Sequence, residues 1–354
     1  MAYTTINKST EHFNTKLYTG NGSNGHAITG VGFSPSLVWL KNRSSGTAHV
    51  LVDAIRGQNK VLSSNNTEAE ATTNANKDFR SFDSDGFTVD TNENYGSTNT
   101  NGANIVAWNW LANGAGVANT DGDINSTVSV NTTSGFSIVK FVGNSTAGAT
   151  VGHGLGAEPK LIFVKALDQT YNWCVYSKSA NSGSGQNGGF YLNGTDAWLS
   201  DSGFWNNTSA NSSTFTLGSG FAVNNNGTNF IAYCFAEKQG YSKFGSYVGN
   251  NSDDGPFIYT GFKPAFVMIK NAHHATNWSI TDDKRDGYNT AGNKVIYANT
   301  SGTEDTYYPI DHLSNGFKIR LNTEGYNGDG GDYIYMAFAE APLVGSNNVP
   351  CTAR

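Results

Sequence analysis

Pro35-Ser36-Leu37-Val38-Trp39-Leu40-Lys41 returns as Pro159-Lys160-Leu161-Ile162-Phe163-Val164-Lys165 and again as Pro264-Ala265-Phe266-Val267-Met268-Ile269-Lys270. Each copy is a proline, an apolar run and a lysine at one fixed spacing. An apolar run without polar interruption reads as a central strand covered on both faces. The proline suits the strand entrance, where its missing N–H costs no ladder bond. Fourteen residues beyond each proline lie His49, Trp173 and Trp278, each opening a further strand-like run.

The match extends in both directions. Ahead of the prolines, Tyr18-Thr19-Gly20-Asn21, Phe141-Val142-Gly143-Asn144 and Tyr247-Val248-Gly249-Asn250 open each unit with an aromatic and a Gly-Asn turn. Behind them, Gly86-Phe87-Thr88-Val89, Gly220-Phe221-Ala222-Val223 and Gly316-Phe317-Lys318-Ile319 recur, and the expectation is that Phe87, Phe221 and Phe317 are buried at equivalent positions. Units close on Val106–Trp110, Ile231–Glu237 and Ile334–Glu340. Internal repetition at this spacing implies one supersecondary unit used three times.

Each unit offers short runs of β-branched and aromatic residues between Gly, Asn, Ser and Asp clusters. The fold class expected is therefore all-β, with three tandem homologous antiparallel β-sandwich-like domains of about 100 residues each. The division is an N-terminal arm at 1–16, a first repeat at 17–112, a linker at 113–134, a second repeat at 135–238, a third at 239–343 and a C-terminal tail at 344–354. The linker is expected because 113–134 is small and polar. The arm and tail are the segments expected to reach a neighbouring subunit.

The 354 residues carry a formal charge of −6, only 14% are charged, and 12% are aromatic. So sparse a charge argues against electrostatic nucleic-acid binding. No apolar run approaches the roughly 20 residues that span a bilayer, and the first residues do not read as a leader segment, so no membrane insertion is expected. Cys174, Cys234 and Cys351 lack metal-type pair spacing and are read as free thiols.

Catalytic and cofactor-binding motifs are not found. His12, His26, His49, His153, His273, His274 and His312 are scattered, and His49 takes the place of two tryptophans, which favours packing. Gly152-His153-Gly154-Leu155-Gly156 leads into a strand and not a helix, so it is not a phosphate loop. Asp83-Ser84-Asp85-Gly86, Asp121-Gly122-Asp123 and the Asn327–Asp332 stretch place oxygen ligands that could hold calcium, but calcium is not the favoured reading. None closes with a bidentate Glu, and turn Asp and Asn serve their own backbone. Asp53 with Arg56 parallels Asp282 with Arg285, read as a strand-end ion pair that the second unit replaces by Ser177-Lys178-Ser179. Trp198, Trp205, Tyr288, Tyr307 and Tyr308 lie in the variable middles of the units and are the candidates for surface or glycan contact.

The N-terminal Met1-Ala2-Tyr3-Thr4-Thr5-Ile6-Asn7-Lys8-Ser9-Thr10, the connector Asn119-Thr120-Asp121-Gly122 to Phe136, and Gly240-Tyr241-Ser242-Lys243-Phe244-Gly245-Ser246-Tyr247 resemble a group of poorly characterised marine tailed-phage virion proteins. That resemblance spans essentially the whole chain and implies a tail-fibre component or capsid-surface decoration, made in the host cytoplasm and located in the virion. It carries no catalytic residues. The expected partners are further copies of this chain, as homo-oligomer or polymer, and other virion proteins. The alternative is a carbohydrate-binding adhesin recognising a host-envelope glycan, with a polysaccharide depolymerase as a more remote reading.

Overall fold

The computed structural model describes residues 3–74, 77–91, 95–285, 294–347 and 349–350. It is mostly β, with antiparallel strand pairing throughout the sheets and a few short helical turns. Phe13–Thr19, Asn104–Trp110, Leu37–Asn42 and Val50–Asp53 form one sheet in that spatial order. The order recurs as Phe136–Val142, Asn229–Ala236, Pro159–Ala166 and Cys174–Ser177 within an eight-stranded sheet. It recurs again as Ser242–Val248, Asp332–Pro342, Phe262–Asn271 and Ser279–Asp282 within a six-stranded sheet. Pro35 precedes its strand, Pro159 begins one, and Pro264 sits inside Phe262–Asn271 where the register with the neighbouring strand shifts. A bulge there removes the need for the missing N–H.

The apolar runs are uninterrupted because each strand feeds two cores. Side chains alternate across a strand. Val38 and Leu40 face an outer core with Phe87, while Leu37 and Trp39 face inward. Ile162 and Val164 divide from Leu161 and Phe163 in the same way, as do Val267 and Ile269 from Phe266 and Met268. The three outer cores are separate, whereas the inner faces of all three sheets meet in one. Trp110 lies at its centre, with ring centroids 5.0 Å from Phe13, 6.5 Å from Phe136, 6.3 Å from Phe235, 6.0 Å from Phe266 and 5.8 Å from Phe338. The sheets therefore do not form three self-contained bodies in tandem. An inward face rich in Trp and Phe has to be covered, and here each sheet covers the others.

Small second layers complete the outer cores. Phe87 pairs opposite Ile28 and Phe317 opposite Ile258, both fully buried. In the second unit the residue opposite Val151 is Phe215, 1% exposed, and Phe221 is 67% exposed in the helical turn Phe221–Asn224. The expected burial of Phe221 is thus corrected, and Thr214-Phe215-Thr216-Leu217 is the true counterpart. Tyr18, Phe141 and Tyr247 meet Phe87, Phe215 and Phe317 edge-on in all three units. Replacing Phe87, Phe215 or Phe317 by Ala is expected to cost ~3–5 kcal/mol in chemical denaturation, the usual cost for a buried Phe. Phe221→Ala is expected to stay within about 0.5 kcal/mol, as exposed positions do.

The Gly-Asn openings have a physical cause. A Cβ at Gly20, Gly143 or Gly249 would lie 2.2, 2.4 or 2.1 Å from a carbonyl oxygen of the facing segment. Buried Asn99, Asn224 and Asn327 clamp these turns, each accepting from the N–H of Asn21, Asn144 or Asn250 and donating to a carbonyl two residues beyond it.

Two boundaries differ from expectation. The 113–134 stretch is not an exposed connector, because Val117–Asn119 and Ser126–Asn131 add two strands to the second sheet and cover the edge of Phe136–Val142. Its Ser-Thr-Val-Ser-Val-Asn run buries Val128, a strand signal hidden in a small, polar composition. The 1–16 arm also gives way, since the first strand starts at Phe13. Residues ahead of it dock on their own chain, with Ile6 3% exposed in the central core and Tyr3 donating to Gly261 O at 2.8 Å. The tail turns back on itself through Gly345 N–H to Val349 O, and Asn7 and Ser346 bond to each other.

The units are tied to one another in a closed ring. His49 Nε2 reaches Tyr297 O at 3.0 Å, Trp173 Nε1 donates to Ser63 O at 2.9 Å, and Trp278 Nε1 donates to Tyr191 O at 3.0 Å. First unit thus bonds third, second bonds first and third bonds second. The repeated lysines follow the same sense: Lys41 Nζ donates to Ser301 O at 3.3 Å, Lys165 Nζ to Thr67 O at 3.3 Å, and Lys270 Nζ to Thr195 O at 3.1 Å. Each lysine also bonds two carbonyls of its own unit.

Burial pushes Lys41 and Lys165 down to about 8 and Lys270 to about 7. The unfolded chain keeps such protons up to about 10.4, so between roughly pH 7 and 10 the unfolded state binds more of them and the lysines' contribution to stability rises with pH, opposed at the upper end by the buried Cys174 and Cys234 thiols, which burial keeps protonated in the folded chain. Urea titrations at pH 7 and 9.5 should show this, with Lys270→Met flattening the dependence by on the order of 1 kcal/mol.

Candidate functional site

The expected contact aromatics divide. Trp205 is 1% exposed and packs edge-on to Tyr176 at 5.7 Å, which corrects its reading as a surface residue. Trp198 is half-buried, and its backbone N–H donates to Ala272 O at 2.9 Å across a unit boundary. Tyr308 is half-buried with its hydroxyl on Asp311. Tyr307 is 48% exposed. Tyr288 lies outside the described residues.

The histidines and turn carboxylates are occupied locally. His49 Nδ1 accepts from Trp39 Nε1 at 2.9 Å, which leaves its proton on Nε2 for Tyr297 O, and burial lowers its pKa to about 3. It is a neutral packing residue that does what tryptophan does in the other units. His153 is lowered to about 4 by burial and accepts from Leu155 N–H, so the Gly-His-Gly-Leu-Gly stretch leaves the strand Thr150–Gly152 with His153 and Leu155 buried. Asp85 accepts from Gly30 and Gly32 N–H, and Asp123 from Thr150 N–H and Oγ1. Cys174 and Cys234 are free and buried, their thiols pushed well up by burial, and Cys351 lies outside the described residues.

Asp53 and Asp282 do more than close a strand end. Each carboxylate bonds the arginine three residues on and also a side chain of another unit, Tyr233 Oη at 2.8 Å for Asp53 and Trp108 Nε1 at 3.0 Å for Asp282. Burial opposes ionisation of Asp282, but Arg285 and Trp108 outweigh it and hold the carboxyl below its usual value. In the second unit Ser177 and Ala180 stand at these places, and the corresponding residue across the boundary is Met336. The two polar junctions and the one apolar junction are each internally consistent.

Two surface pockets occupy corresponding places in the second and third units. The larger, about 460 Å³, is lined by Thr67, Thr170, Tyr171, Asn172, Cys174, Tyr191, Asp201, Gly203, Phe204 and the Gly220–Val223 turn. The other, about 350 Å³, is lined by Thr276, Asn277, Ser279, Tyr297, Tyr307, Leu321, Thr323, Gly325 and Tyr326. Asn172 and Asn277 directly precede the ring tryptophans, and each accepts from a second asparagine, Asn193 at 2.9 Å and Asn299 at 2.8 Å. Tyr191 and Tyr297 supply the carbonyls that the neighbouring unit's ring donors use. The same framework that closes the ring therefore fixes both pocket walls. In the first unit Ala48, Val50 and Ser63 stand at the asparagine, Cys/Ser and tyrosine places, and Val50 is buried close against Gly96. From sequence Phe221 reads as a buried core residue and Cys174 as a strand residue, so neither is marked there as lining a pocket.

Fold and pockets define an all-β protein in which three sheets share one core. The chain belongs to the family described as Domain of unknown function (DUF7483), which matches residues 8–342. That match runs through all three sheets, to the last residue of Asp332–Pro342. No curated protein and no solved structure matches the chain. No helix among the described residues is long and apolar enough to cross a membrane.

Proposed function

We propose that this protein is a structural component of a phage virion, a tail-fibre component or a capsid-surface decoration, that acts by self-assembly and surface contact and not as an enzyme. In this reading the chain is three homologous β-sandwich-like units of about 100 residues, within the ordinary range for a domain, closed head to tail. The observation that carries the proposal is the ring of Trp/His and Lys bonds, which repeats in one rotational sense. It makes one chain an approximate threefold block with a sparsely charged exterior, only 14% of residues being charged, a form that suits a symmetric particle. The likeness to phage virion proteins supports the same reading. Immunogold labelling of purified particles, beside native mass spectrometry of the recombinant protein, tests it. Label on the particle and masses at multiples of the chain are expected; unlabelled particles and a strictly monomeric protein would overturn it.

A second reading, a carbohydrate-binding adhesin, is favoured by one observation: the second-unit pocket carries Phe221 exposed at its mouth beside Tyr171 and Tyr191.

A further inference from the structure

We infer that the pockets of the second and third units are binding sites for neutral saccharide units, with the second-unit pocket the stronger; this rests on the adhesin reading. A cavity of about 460 Å³ falls within the usual range for small-molecule sites, and apolar walls with a few polar groups are their usual composition. Phe221 is 67% exposed although alanine or serine would leave less apolar surface in water. The aromatic counterparts Phe87, Phe215 and Phe317 are all buried, so Phe221 is not a leftover core residue but an addition of the second unit. An aromatic face takes the C–H face of a pyranose, and the amide of Asn172, the hydroxyl of Thr170 and the carboxylate of Asp201 are within the same wall set for its hydroxyls.

Charge narrows the ligand. Neither wall set contains Lys, Arg or His, and Asp201 places a carboxylate in the larger pocket. Phosphate, sulfate and uronate groups would meet a negative charge with no cation to offset it. A neutral hexose or N-acetylhexosamine unit meets no such cost. The third-unit pocket repeats the asparagine and tyrosine but offers Tyr307 as its exposed ring.

A glycan array carrying neutral glucans, mannans, galactans and chitin oligomers beside heparin fragments and polygalacturonate tests this on the full chain, followed by calorimetric titration of the best array ligand. Binding confined to neutral glycans is expected, with two sites per chain. Phe221→Ala should weaken the stronger site at least tenfold without changing the melting temperature, and Tyr307→Ala should abolish the weaker one. Asp201→Asn, which retains the bond from Gly203 N–H, should admit the uronate ligands. No neutral binder, a preference for anionic glycans, or unchanged affinity in Phe221→Ala would each overturn the inference. Particle labelling is independent of these outcomes, so the virion reading and the saccharide sites fail separately.

Discussion

Trp110→Ala is expected to destabilise the whole chain by ~3–5 kcal/mol, the cost of deleting a large ring from a closed core. The ring is 1% exposed and touches aromatics of all three sheets, and its Nε1 has no hydrogen-bond partner among the described residues. The loss is therefore one of packing, with no hydrogen bond removed. Because the cavity opens between sheets, unfolding monitored by Trp fluorescence and by far-UV circular dichroism should shift together. Val117→Ala, at a site 64% exposed, serves as the control and should stay within about 0.5 kcal/mol. Separate shifts for the two probes would mean that the sheets come apart one at a time.

Asp282→Ala should cost a similar ~3–5 kcal/mol, because it removes the close partner of Arg285 and leaves it buried beside Trp108 with only the longer 3.5 Å contact to Glu304. Arg285 has a fully buried side chain, bonded to Asp282 at 2.6 Å and to Ile280 O at 2.9 Å. The second unit shows the apolar solution, with Ser177 and Ala180 at the places of Asp282 and Arg285, and Met336 at that of Trp108. The double replacement Asp282→Ser with Arg285→Ala should therefore cost less than Asp282→Ala alone, as removing both members of a buried pair generally does. Urea denaturation of the three proteins measures this. A double variant less stable than the single one would contradict the equivalence of the junctions.

The strands were legible in the sequence where the repeat is strictest, because the Pro-apolar-Lys run is a strand in every copy and a further strand opens one residue after His49, Trp173 and Trp278. The lysine ending each run carries a further signal. A charge at the same place in three apolar runs marked a tie between units, and its function needed the neighbouring carbonyl to be seen. His49 reads from sequence as a packing residue, and its bond to Tyr297 O makes the reason concrete. The Gly-Phe-x-Val string misled at 220–223. Local similarity cannot tell which strand will lie opposite, and Thr214-Phe215-Thr216-Leu217 wins because it puts its ring against Phe141. The candidate site was legible only in part. Tyr307 does line a pocket, but Trp205 is held in the second outer core by Tyr176 and Phe204, contacts that no spacing in the chain announces.

Differential scanning calorimetry of the full chain tests most directly whether three sheets share one core. A single transition is expected, with calorimetric and van't Hoff enthalpies equal, since no sheet can lose its inner face without exposing the others. Two or three resolved transitions, or a calorimetric enthalpy two to three times the van't Hoff value, would contradict a shared core and return the chain to independent units in tandem.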